Sequence, residues 1–329
     1  MSDSQSTTAD ITTPTTAAPP HNPIRIIVRG AYDIQRLRIQ MGNRIVAQFK
    51  AKLGQIPQHG EDELSEEALS VLKDLRADFK KMMDGVKTVK LATFKATPLI
   101  STFTEFSLLQ QYLDLEESEK RHFANLGKIL LDHPIYNEFL SKVAGIGPAL
   151  AGVIVSEIDI HRSKYPSSIH QYCGLGVESD GRGTSKRKEH LHTIGYTDKE
   201  GNAAERQGIR HNPFIKSKLM GVAAGSFLRQ ADSPYRQAYL DYKHRLQSHP
   251  NWVDKTKGHV HMAAQRYAVK RFLTDLYVAW RTLEKLPVHP PYSAAKLGMQ
   301  HGNPDEPRRE DMGGGPASNR AASAPFDLG

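Results

Sequence analysis

Apolar positions recur at helical spacing through most of the chain. Ile34, Leu37, Met41, Ile45, Phe49 and Leu53 step by 3, 4, 4, 4 and 4, which predicts a helix over about 31–53. Just before it, Ile-Arg-Ile-Ile-Val at 24–28 is rich in β-branched residues and predicts one short strand. Leu64, Ala68, Val71, Leu72, Leu75 and Phe79 line one face of a second helix over 61–84. Its acids come first and Lys80-Lys81 last, the order that suits the helix dipole. Residues 102–131 predict further helix, in two pieces. Asn212-Pro213 and Ser233-Pro234 each pair a capping side chain with a proline at the first helical position. The first opens a helix carrying Ile215, Leu219, Val222 and Phe227. The second opens a stripe of Tyr235, Tyr239, Tyr242 and Leu246, expected as core rather than as a platform for stacking bases. A last helix over 259–286 carries Val269, Leu273, Leu276, Trp280 and Leu283 at steps of 4, 3, 4 and 3. That is a seam for packing on another helix, in the same chain or in a second copy.

The expected fold is therefore mainly α. A disordered tail covers 1–23, a helical N-terminal region 24–134, a helix-hairpin-helix and helical C-terminal domain 135–286, and a second disordered tail 287–329. The first tail is rich in Thr, Ser, Ala and Pro and has no Lys or Arg until Arg25. The second begins with Pro287, Pro290 and Pro291 and contains Gly313-Gly314-Gly315-Pro316.

Composition narrows the classes. With 329 residues, 39% of them hydrophobic, the chain can build a core without disulfides. Cys173 is the only cysteine, so neither an internal disulfide nor a cysteine zinc site can form, and the residue reads as a small core side chain. A reducing cytoplasm is the expected compartment. No apolar run approaches a membrane span, and no charged start followed by an apolar stretch suggests a signal peptide. A membrane partner is thus not expected.

The 44 Lys and Arg outnumber 36 Asp and Glu, for a net charge of +8, a balance that suits nucleic acid. Two segments concentrate it. Residues 24–53 hold seven basic residues and one acid, either a solvated helix face or a face turned to nucleic acid. Residues 182–218 hold nine basic residues and four acids in what reads as a loop rich in Gly and Ser, able to wrap a phosphate backbone or to be a disordered insertion. The pairs His190/His192 and His259/His261 lack a Cys or carboxylate at metal spacing and are not expected to bind metal.

The most informative stretch is Gly145-Ile146-Gly147-Pro148, set between two predicted helices at about 135–143 and 148–158. Glycines at 145 and 147 permit positive φ and close approach of another backbone, and Pro148 suits a first helical turn. Such a turn aims unpaired N–H groups outward at a helix N-terminus, where phosphate binds.

Downstream come Ser156-Glu157-Ile158-Asp159, Tyr172-Cys173-Gly174-Leu175, Gly208-Ile209-Arg210-His211-Asn212 and Ser233-Pro234-Tyr235-Arg236, in that order. With the hairpin, these blocks resemble the C-terminal half of the insertion-sequence "one-ten" family of transposases, related to the Piv-type DNA invertases. The resemblance covers roughly 136–286. It implies a DNA-binding protein of DNA transposition or recombination, or a non-catalytic hairpin protein derived from one. DNA is the implied partner; a guide RNA and a second copy of the chain are left open. The family's nucleophilic serine follows the Tyr-Ala-Gly-Leu block, and here Ser179 and Ser185 compete for that position, Ser179 being preferred. DNA contacts are expected from Gly145, Ile146, Gly147, Arg182, Lys186, Arg187, Lys188, Arg210 and Lys216.

In the family, the serine hydroxyl attacks a DNA phosphodiester and conserves the bond as a phosphoserine link. Basic neighbours stabilise the charge growing on phosphorus. No cofactor is evident in the sequence; a catalytic chain implies Mg2+, held by four acids of an N-terminal nuclease-like domain. Residues 24–134 show no alternating strand–helix pattern on which those acids begin, so robust cleavage by this chain alone is not expected.

Overall fold

The structure, a computed structural model, describes residues 23–54, 64–86, 88–178 and 180–290. The two expected tails lie outside these residues, apart from Pro23 and residues 287–290. The fold is mainly helical, as expected. In chain order the helices are α1 (Pro23–Lys52), α2 (Glu66–Met82), α3 (Phe103–Leu130), α4 (Pro134–Glu138), α5 (Pro148–Glu157) and α6 (Pro166–Tyr172). Then follow strands β1 (His192–Thr197) and β2 (Ala203–Gly208), and helices α7 (Pro213–Lys218), α8 (Ala224–Arg229), α9 (Pro234–Gln247) and α10 (Lys257–Leu283).

The strand expected at 24–28 is the first part of α1. Pro23 starts the helix, and Ile24, Val28 and Ala31 are buried at steps of 4 and 3 while Ile26 is 70% exposed. Packing on α3 and α5 thus overrides the strand preference of β-branched residues. The buried stripe of α1 continues through Gly42, Ile45 and Val46, with Arg38 half-buried on it; of the expected face Ile45 is buried and Met41 and Phe49 pack on a core, while Leu37 and Leu53 are exposed. The stripe was hidden because it passes through polar and small residues. Arg38 bonds Glu119 of α3, Gln35 donates to the same carboxylate at 2.9 Å, and Gly42 lets Leu64 and Tyr112 close in.

Residues 102–131, expected as two pieces, form the single helix α3. Its N-terminus is closed by a capping box in which Thr102 and Glu105 exchange side-chain-to-backbone bonds. α1 and α3 pack side by side and serve two cores. The smaller core gathers Ile45, Val46, Leu72, Leu75, Phe79, Phe106, Leu109 and Tyr112 from α1, α2 and α3. The larger core takes Ile24, Val28, Leu126 and Leu130 from the other ends of α1 and α3 and joins them to α5, α7, α8, α9 and α10. The cores therefore do not divide at residue 134.

The seam of α10 is filled within the chain, chiefly by α9, and Val269, Leu273, Leu276 and Trp280 are buried. Tyr235 and Tyr239 are core, and Tyr242 stacks on Tyr267. Between α7 and α8 the chain keeps winding as one π-helical stretch, Leu219–Ala223. The extra residue in that turn moves Val222 outward and brings Ala223, Ala224 and Phe227 inward. The segment expected as a loop at 182–218 is instead organised around an antiparallel ribbon, β1 with β2, none of whose residues is buried.

Candidate functional site: a serine–histidine–aspartate chain in a basic turn

Gly174 follows α6 with φ of 67°, and the chain turns back under α7. A small hairpin then forms: Val177 pairs with Gly183, Glu178 N–H donates to the Arg182 carbonyl at 2.8 Å, and Thr184 N–H donates to the Gly176 carbonyl at 3.1 Å. Ser179, the preferred serine of the sequence reading, lies outside the described residues. Ser185, the other, stands directly after this hairpin and is half-buried.

Ser185 Oγ lies 2.8 Å from Nδ1 of His190, and Nε2 of His190 lies 3.0 Å from Oδ2 of Asp180. The Ser185 backbone N–H also donates to Nδ1, at 3.2 Å. A backbone N–H can only donate, so Nδ1 accepts and the imidazole proton sits on Nε2, facing the carboxylate. The Ser185 hydroxyl then donates to Nδ1, while its oxygen accepts from Arg187 N–H at 3.3 Å. His190 is 2% exposed, held by a short 3-10 turn at Lys188–His190. The His190 N–H and the Arg182 backbone N–H hold the Asp180 carboxyl below the usual carboxylate range. A hydroxyl, a base of fixed tautomer and an orienting carboxylate thus lie in one chain, the arrangement that activates a serine for attack on an electrophile. Sequence reasoning found Ser185 but not its partners, which are ordinary loop residues five positions either side of it.

Arg182, Lys186, Arg187 and Lys188 surround this serine in sequence and are exposed, as is Arg210 at the foot of β2. The ribbon itself contributes no net positive charge. Over 192–208, Lys199 and Arg206 are outnumbered by Asp198, Glu200 and Glu205, so the basic excess sits entirely on its flanks, which the ribbon brings together. Lys216, on α7, reaches back to donate to the Thr184 carbonyl at 2.8 Å.

α7 is placed by its cap. Asn212 Oδ1 accepts from the N–H groups of Phe214 and Ile215, while its amide donates to Glu157 at 2.6 Å and to the Tyr172 hydroxyl at 2.9 Å. Glu157, fully buried at the end of α5, also binds Arg29 at 2.7 Å and Arg25 at 3.3 Å from α1. The basic character of α1 is largely spent this way. Arg38 pairs with Glu119, Lys50 with Glu67 and Lys52 with Glu105, leaving Arg36 and Arg44 exposed outside any ion pair among the described residues. Pairing thus reduces the net positive charge that α1 presents.

At the central hairpin, α4 is a single short turn followed by a 3-10 turn at Leu140–Lys142, not the helix expected over 135–143. Gly145 has φ of 95° and packs against the Ser226 backbone of α8, 3.2 Å from the place of a Cβ. Ile146 is buried in the larger core. Gly147 is extended, with φ of −91°, not left-handed, and a side chain there would meet nothing within 4 Å. Of the three hairpin residues, Gly147 is the one that offers its backbone to an outside partner at the start of α5.

The other histidine pair is structural: His259 bonds the Thr256 cap of α10, and His261 bonds the Tyr239 hydroxyl at 2.7 Å. Cys173 is buried, and burial pushes its thiol up. The acids near Ser185 do not fit a divalent metal. Asp180 is engaged by His190 and Arg182, Glu178 turns toward His192 at 3.8 Å, and among the described residues no three His, Cys, Asp or Glu converge. No helix among them is long and apolar enough to cross a membrane. Comparison with known protein families, with curated proteins and with solved structures finds no match to this chain.

Proposed function

We propose that this protein binds DNA and acts in transposition or recombination, with Ser185 as the nucleophile. The observation that carries the reading is the Ser185–His190–Asp180 chain of hydrogen bonds inside a basic turn. In this reading Ser185 Oγ forms a bond to phosphorus as the bond from phosphorus to the leaving strand oxygen breaks. The serine proton passes to His190 Nδ1 and from there to the leaving strand. Asp180 stabilises the imidazolium formed in between. Arg187 and Lys186 lie next in the chain to offset charge on the phosphoryl oxygens. The ordered blocks that resemble the "one-ten" transposases support the same reading, with Ser185 in the place of the family serine.

The test is a search for a covalent protein–DNA adduct on a denaturing gel, with supercoiled DNA, in the presence and absence of Mg2+. The missing four-acid domain argues against robust cleavage, and the Ser185–His190–Asp180 chain argues for it; on the second ground the adduct is expected with the unaltered chain and with Ser179→Ala and is lost with Ser185→Ala. An adduct that survives Ser185→Ala contradicts the assignment. Retained DNA binding without any adduct favours the non-catalytic hairpin protein instead.

A further inference from the structure

Beside Ser185, beneath the 176–184 hairpin, the cations Lys216 and Arg266 act on each other, and neither makes an ion pair among the described residues. Lys216 has one hydrogen bond, to the Thr184 carbonyl, and no carboxylate within ion-pair distance. Arg266, from α10, is half-buried, makes no ion pair, and its Nη1 is buried without a hydrogen-bond partner. Two more side chains share this condition. His211 is 5% and Thr184 8% exposed, and His211 Nδ1 and Thr184 Oγ1 are buried without partners.

These groups lie on one small region of backbone. A Cβ at Gly174 would stand 2.6 Å from both His211 Cδ2 and Lys216 Cδ; one at Gly183 would stand 2.1 Å from Arg266 Nη1; one at Gly176 would stand 3.2 Å from Thr184 Oγ1. Glycine at 174 and 183 lets the backbone settle directly over the cations, and at 176 over Gln171 and Thr184. The neighbouring charges that act on the cluster are Lys186, which adds to it, and Glu178, the one acid that opposes it. Burial and the charge of Arg266 both push the Lys216 ammonium below its ordinary range.

An uncompensated cation held away from water is costly, and unpartnered polar atoms beside it add to the cost. A ligand that relieves all four at once must be anionic and rich in acceptors. Lys216, the Arg266 guanidinium and the Thr184 hydroxyl all donate, and so does His211 in its Nδ1-protonated tautomer. A phosphate group presents several strong acceptor oxygens in a compact volume and carries the missing negative charge.

We propose that Lys216, Arg266, His211 and Thr184 form a binding site for a phosphate group, one residue from Ser185. The site stands on its own whether or not Ser185 is a nucleophile. A nucleic-acid strand and free phosphate share the chemistry, and the experiment separates them.

Inorganic phosphate is titrated into the full chain in a phosphate-free buffer, read by calorimetry and by thermal melting. The unaltered protein is expected to bind saturably and to melt at a higher temperature with phosphate. Arg266→Met and Lys216→Met should each fold, by circular dichroism, and melt no lower than the unaltered chain when phosphate is absent. Each should lose phosphate affinity about tenfold or more, the loss of a charge-assisted hydrogen bond. In a second arm, a fluorescent single-stranded oligonucleotide is bound first. Displacement of its terminal phosphate contacts, seen as a phosphate-dependent drop in affinity absent from Lys216→Met, assigns the site to a nucleic-acid strand. No competition, with phosphate binding intact, assigns it to free phosphate. No binding by the unaltered chain, or equal stabilisation of all three proteins, overturns the site.

Discussion

The carboxylate of Glu157 accepts hydrogen bonds from Arg29 and Asn212, and its side chain has no exposure to solvent. Glu157→Ala removes the acceptor; Arg25 and Arg29 are 53% and 39% exposed and turn to water, so the loss is about 1–3 kcal/mol, chiefly the stranded Asn212 amide and the emptied space. Denaturant unfolding should show that loss as a lower midpoint with an unchanged slope, and Glu157→Gln should keep part of it through the Asn212 bond. A second residue-scale effect concerns pH. Burial first, then the charge of Lys216, hold His211 down to about 4 from an ordinary 6.5. The unfolded chain therefore takes up this proton at higher pH than the folded one. Its contribution is intact above pH 6.5 and is lost as pH falls toward about 4. Melting temperatures across that window should fall with acid, and His211→Gln should flatten the slope; an unchanged slope in the variant would count against the assignment. Neither residue was legible as a partner. Glu157 shows in sequence only as one acid after an apolar run, and its partners stand 128 and 55 positions away. Residue spacing reports neighbours on one element, not pairs that folding brings together.

At the scale of elements, the two hairpin glycines should behave differently. Gly145→Val places a branched side chain at φ of 95° against the Ser226 backbone and should cost about 1–3 kcal/mol or more. Gly147→Val meets open space in an extended conformation and should leave stability within about 0.5 kcal/mol. If the turn carries a DNA phosphate, Gly147→Val weakens DNA binding while the melting temperature holds, a pair of readings that circular dichroism and a binding titration give together. The ribbon offers a complementary test. Replacing 192–208 by a short turn removes exposed strands of no net positive charge. DNA affinity should then change little, whereas a large loss would place the contact on the ribbon. Elements with strong punctuation were readable: the Asn212-Pro213 and Ser233-Pro234 starts and the α10 stripe all stand where they were expected. The ribbon was not, because its 203–208 strand, Ala-Ala-Glu-Arg-Gln-Gly, lacks the β-branched and aromatic residues that mark strands. The π-helical stretch was also hidden, since one added residue shifts a face without changing composition.

For the whole molecule, net charge and its distribution give different answers. The chain carries +8, and its N-terminal region looked as basic as its middle. Folding neutralises much of the first by pairing α1 with Glu157, Glu119, Glu67 and Glu105. It leaves Arg182, Lys186, Arg187, Lys188 and Arg210 exposed about the ribbon and near Ser185. The helical class was therefore legible, while the distribution of unpaired charge was not, because charge counts carry no information about pairing. The central claim, that this face holds DNA, is tested most directly by the affinity of the unaltered protein for duplex DNA as salt is raised. Five exposed cations contacting phosphate predict that log affinity falls against log salt with a slope of about −4.5. A flat profile, or no binding at the lowest salt, would contradict it.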